Sequence, residues 1–134
     1  MYFCKLIYLI MIQKEWFEIL PASCPPDDAQ ECNGTFYRIA HGDPATSSDF
    51  FSQRKMNPDK LFAGIDECTL RSISIFSDYD ETSKKLKLPK FKKASIAKVE
   101  LKPDDGLIKK TFGPHHYSWW RTINFQPSAA KLIK

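Results

Sequence analysis

Residues 94–112 read ASIAKVELKPDDGLIKKTF, two runs of alternating apolar and polar residues on either side of a proline-led turn. Ala94 to Leu101 and Leu107 to Phe112 have the two-residue period of half-buried strands. Between them, Pro103-Asp104-Asp105-Gly106 holds the residue types that reverse a chain. The stretch predicts an antiparallel hairpin whose lysines occupy the outer face. A hairpin of this kind needs further strands and a covering layer to bury its other face.

Those elements are sought on both sides. Downstream, Gly113-Pro114 breaks the chain before His115-His116-Tyr117-Ser118-Trp119-Trp120, whose neighbouring side chains point to opposite faces if the segment is extended, and a short stretch from Thr122 to Phe125 leads to a tail from Gln126 with helical character. Upstream, Ser77-Asp78-Tyr79-Asp80 caps a solvent-facing helix supported by Asp80–Lys84 and Glu81–Lys85 pairs and stopped by Pro89. Leu70 to Phe76 alternates large apolar with small polar residues, a half-buried strand with Ser72 and Ser74 on one face. Thr46-Ser47-Ser48-Asp49 caps a helix running towards Met56, where Asn57-Pro58 ends it. Thr35 to Ala40 has the β-branched and aromatic density of a first core strand. Pro25 to Glu31, with proline at its start and acids behind it, reads as a short helix closed by Asn33-Gly34. Gln13 to Leu20 fits either a short strand or one helical turn.

At 134 residues the chain has the size of one domain, large enough for a single core. A hydrophobic fraction of 43%, with 18 aromatics and only 5 glycines, excludes a disordered chain. The net charge of +4 is too small to imply a polyanion partner, but it is unevenly spread. Ten lysines between Lys84 and Lys110 face three acids, which leaves the remainder net acidic. Four cysteines without a CxxC pair suit reduced thiols in a cytoplasm, with a Cys24–Cys32 bridge only in an exported chain. Residues 1–12 form an apolar arm too short to span a bilayer. They lack a basic start or an Ala-x-Ala site, Leu20 to Cys24 only faintly matches a lipoprotein box, and Met11 offers an alternative start. The expected division is an arm at 1–12, one α+β domain at 13–126 and a tail at 127–134. Its sheet is mixed or mainly antiparallel, with four to six strands and two or three short helices.

The chemistry-bearing residues form one leading set. His115 and His116 stand beside Trp119 and Trp120, titratable rings next to large flat ones, as in a pocket that stacks a planar group and moves a proton. Against this stands a plain aromatic core with satisfied histidines. Arg38 lies within a strand and requires an acceptor, either a carboxylate such as Asp49 or a ligand phosphate. Ser72 and Ser74 would bond a ribose or phosphate, or simply face water. His41 with Cys32 or Cys68 would make a metal site only through tertiary placement, so no metal is expected. The chain has no nucleophile elbow, phosphate-binding glycine loop, dinucleotide fingerprint or His-Glu-x-x-His. Lys90, Lys92 and Lys93 belong to a basic face that would suit nucleic acid or an acidic protein.

Pro25-Pro26-x-x-Ala29, Phe36-Tyr37-Arg38, Asp49-Phe50, Ser72-x-Ser74-x-Phe76, Ile96-Ala97 and His115-His116-x-x-Trp119-Trp120 together resemble an uncharacterised family of small bacterial proteins over about residues 12–126, which implies no assigned activity. A remoter similarity is to ADP-ribosyltransferases, whose motif has an Arg or His on the first strand, a Ser-x-Ser strand and a catalytic Glu. That resemblance implies that Arg38 or His41 and Ser72-Ile73-Ser74 hold NAD. The third element has no clear match, since Glu81 and Glu100 are the only glutamates after Ser74. The leading expectation is a pocket for a small phosphate-bearing or nucleotide-like compound, formed by Arg38, His41, Ser72, Ser74, His115, His116, Trp119 and Trp120. The other is a binding module using the basic face.

Overall fold

The computed structural model describes residues 14–133, and the expectations for residues 1–12 lie outside them. Seven strands form one antiparallel sheet in the order β1-β5-β6-β3-β2-β4-β7. They are β1 (Gln30–Glu31), β2 (Gly34–Ala40), β3 (Ile73–Phe76), β4 (Ser95–Leu101), β5 (Gly106–Lys110), β6 (His116–Arg121) and β7 (Lys131–Ile133). Three short helices join them: α1 (Gln53–Met56), α2 (Glu67–Leu70) and α3 (Tyr79–Lys85). The class is α+β with a mainly antiparallel sheet, as the sequence predicts.

The central stretch behaves differently from its reading. β4 and β5 are both strands, but they are not partners: β4 pairs with β2 and β7, and β5 with β1 and β6. The connection at Pro103–Asp105 is a single 3-10 turn that passes the chain from one half of the sheet to the other. Gly106 explains why the turn ends where it does. It adopts φ +133°, and a Cβ there would overlap the Trp120 carbonyl oxygen, so no other residue fits.

Other differences are local. Pro25 to Glu31 forms turns and the two residues of β1 instead of a helix. The helix expected from Thr46 to Met56 is split into a 3-10 turn at Ser47–Phe50 and α1, because Ser52 starts a new helix by accepting the Lys55 amide. β3 is shorter than Leu70 to Phe76, since Leu70 closes α2. Asp78, not Ser77, caps α3. The tail contains a 3-10 turn at Pro127–Ala129 and then β7, an edge strand on β4.

One face of the sheet holds the core. Directly opposed residues share a face, so the register sets Phe36 beside Val99, and Ile73 and Ile75 beside Trp119 and Tyr117. Phe50 and Phe125 close over them, with Phe125 4.8 Å and Phe50 6.3 Å from the Trp119 ring in edge-on contacts. A disulfide joins Cys24 to Cys68, while Cys32 is free and buried. This corrects both the reduced-thiol expectation and the Cys24–Cys32 alternative. It also removes Cys24 from a lipoprotein role, which would need its sulfur. Among the described residues, no helix is long and apolar enough to cross a membrane.

Candidate functional site

The sheet has a seam between β2 and β3. β2 matches β4 at every residue from Gly34 to Ala40, but meets β3 only at Tyr37–Phe76. Beyond that pair the two strands carry no ladder, and a side chain takes the place of the missing backbone bonds. Arg38 reaches across and donates from Nη1 to the Ser74 carbonyl at 2.6 Å. Its Nε donates to the Asp49 carbonyl at 2.6 Å and its Nη2 to the Phe51 carbonyl at 3.4 Å. Burial lowers the Arg38 pKa to about 10 while Asp49 counteracts it, so the guanidinium remains charged at neutral pH.

The carboxylate of Asp49, one of the two acceptors the sequence offers Arg38, makes no hydrogen bond to it. Its oxygens accept the amides of His41, Gly42 and Thr46 at 2.7, 3.1 and 2.9 Å, together with the Thr46 hydroxyl. Burial alone would raise the Asp49 carboxyl, but these bonds hold it below its ordinary value. The carboxylate therefore folds the loop after β2, while three neutral carbonyls hold the guanidinium. Among the described residues Arg38 forms no ion pair.

A cavity of about 680 Å³ opens at this seam. Five residues of the leading expected pocket line it: Arg38, His41, Ser72, Ser74 and His116. Lys85 and Lys90 add positive charge, and Phe51, Phe76 and Phe91 supply flat apolar walls. Ser72 is buried and its hydroxyl donates to the Thr69 carbonyl, whereas Ser74 is exposed. Trp119 and Trp120 do not line the cavity. Both are fully buried, and their indole N–H groups donate to the carbonyls of Asp105 and Cys68. The alternation of β6 puts them on opposite faces, and both faces are covered at that level.

His116 and His115 also part company. His115 is exposed and borders an adjoining hollow. His116 is half-buried, and its Nδ1 lies 3.1 Å from the Thr111 carbonyl and 3.0 Å from the Thr111 hydroxyl. A carbonyl only accepts, so Nδ1 carries the proton in the neutral ring and Nε2 presents a lone pair. Burial pushes the His116 pKa down, and the charges of Lys85 and Arg38 reinforce this against the Thr111 bond. The neutral imidazole is therefore the form present at pH 7.

Phe51 escaped sequence reasoning, and the sequence places Lys85 and Phe91 in the basic stretch from Lys84 to Lys110 but not at this cavity. Lys85 ends a helix whose pattern reads as solvated, and the two phenylalanines sit in turns without a period. Lys92 and Lys93 are exposed, and Lys90 turns to the cavity. Among the described residues, no three His, Cys, Asp or Glu side chains gather in a way that would hold a metal ion. No family model, curated protein or solved structure matches the chain.

Proposed function

We propose that the chain binds a small phosphate-bearing or nucleotide-like compound in the seam between β2 and β3. The observation that carries this reading is the bonding of Arg38. A partly buried guanidinium hydrogen-bonded only to carbonyls has no ion-pair partner, the Asp49 carboxylate acting on it only from a distance, and Lys85 and Lys90 on the same cavity add positive charge. A phosphate is the ligand chemistry such a site favours, because charge-assisted bonds to a dianion return what desolvation of the cation costs. His116 then offers Nε2 to a ligand hydroxyl or N–H, as acceptor or as general base.

An ADP-ribosyltransferase-like reaction on NAD is the finer form of this reading. It draws on Arg38 and Ser72-Ile73-Ser74 meeting at one seam, with Ser74 holding the arginine through its carbonyl. The alternative, a nucleic-acid or acidic-protein module on the basic stretch, has weaker support. Lys109 pairs with Asp28 and Lys98 with Glu100, Lys85 and Lys90 line the cavity, and β4 and β5 stand in different halves of the sheet. The Cys24–Cys68 bond suits an oxidising compartment better than the cytoplasm.

Titration calorimetry and thermal shifts with pyrophosphate, AMP and NAD test the proposal. Arg38→Met is expected to lower affinity at least tenfold, about 1.4 kcal/mol, with the fold retained by circular dichroism. Equal affinity in Arg38→Met and the parent chain would refute it. Salt-steep binding of an oligonucleotide, lost in a Lys92→Glu, Lys93→Glu double variant, would favour the alternative.

A further inference from the structure

A second hollow of about 330 Å³ adjoins the cavity at the seam. Phe76, Lys85 and His116 belong to the walls of both, so the two spaces are neighbours. The second is walled further by Glu81, Phe112 and His115. Its chemistry differs from that of the first. Where the seam gathers cations around Arg38, this chamber brings in the carboxylate of Glu81, which pairs with Lys84 at 3.4 Å, and is rich in aromatic rings.

Phe112 is the unusual member. Its backbone has φ +56°, a conformation that bulky residues rarely adopt, and its side chain is 71% exposed. Nothing in the core is gained by holding a large ring outward in this way. The short turn that does so is closed by the Thr111 amide bonding to the His116 carbonyl at 2.9 Å. The Phe112 ring is 5.3 Å from the His116 ring, and Phe76 lies 5.2 Å from the same imidazole on an edge-to-face path. Strain at an exposed aromatic beside a titratable ring points towards function.

We infer that the Phe112 chamber receives a flat heterocycle bearing N–H donors, of nucleobase type, belonging to the same ligand whose phosphate sits at Arg38. This rests on the phosphate reading above and adds the identity of the ligand's other end. Phe112 supplies the stacking face, since every such ring has a π-surface to offer and base–aromatic stacking is insensitive to the particular base. His116 Nε2 and the Glu81 carboxylate are both acceptors, so the matching ring must donate. The two chambers share His116, which places the imidazole between the two ends of the ligand. A ligand with only one of the two ends would fill one of the two chambers.

Calorimetry on the intact chain with 5′-AMP and with ribose 5-phosphate separates the two ends. AMP is expected to bind at least tenfold more tightly. Phe112→Ala should bring AMP down to the ribose 5-phosphate level while leaving ribose 5-phosphate unchanged, and Glu81→Gln should weaken AMP alone, by several-fold. Phe112 is exposed, so its truncation leaves the core intact, and Glu81→Gln provides a second, isosteric probe. Equal or weaker binding of AMP relative to ribose 5-phosphate overturns the heterocycle chamber, as does a Phe112→Ala variant that weakens both equally. If neither compound binds, nor pyrophosphate, the phosphate reading fails and this inference falls with it.

Discussion

β2 has two edges with opposite fates. Along β4 it is matched residue by residue over its whole length, whereas along β3 it is joined at Tyr37–Phe76 alone. On the matched side the neighbours are Ala97, Val99 and Leu101, all buried. The open side has Arg38, Ser74, Phe76 and His116 around a cavity. A complete ladder satisfies backbone groups and leaves side chains free to pack, so that side becomes core. Where the ladder stops, carbonyls remain to be satisfied, and a cationic side chain that satisfies them is left with charge to offer a ligand.

Substitutions test this contrast most strongly in the packed half. Trp119→Ala removes one of the two largest fully buried rings, and urea unfolding should show a loss of about 3–5 kcal/mol. A loss below 1 kcal/mol would mean that the aromatic layer is not the core. Asp49→Asn is expected to cost less, about 1.5–3 kcal/mol, because charge-assisted bonds to the loop amides are replaced by weaker ones. It should also weaken phosphate binding by shifting the Asp49 carbonyl that holds Arg38. Unchanged affinity in Asp49→Asn would separate the loop from the site.

The smallest effect concerns pH. His116 has its folded pKa below the ordinary 6.5, so the unfolded chain takes up its proton first as pH falls. Stability is therefore greatest above pH 6.5 with respect to this group and declines as the solution is acidified below that value. His116→Gln should flatten that part of a melting-temperature profile between pH 7 and pH 5. An identical slope in the variant would show that the imidazole is not desolvated.

β3, β4 and β5 were legible from alternating or strand-like runs beside turn signals, and β2 from its β-branched and aromatic density. Sequence could not say which strands would meet. Pro103-Asp104-Asp105-Gly106 has reversal chemistry, but a turn fixes the local direction of the chain and not the strand that receives it. β4 and β5 therefore read as partners when three strands lie between them. β1 and β7 are too short to show any period. Arg38 was visible because a charge within a strand demands explanation. The tryptophans misled for a related reason: alternation says that one indole points to each side, but not that both sides are covered. Lys85 and Phe91 reach the cavity only through the tertiary path of α3 and the turn after it.

The Cys24–Cys68 bond encloses 44 residues of separation, and Arg38, Asp49 and Phe51 all lie within that ring. Residues 57–67 are also inside it and nearly all lie on the surface, with Lys60 and Leu61 exposed. A protease that severs the chain there produces two polypeptides still tied by sulfur, so one wall of the cavity stays fastened to the other. The cut would be invisible on a denaturing gel until thiol is added.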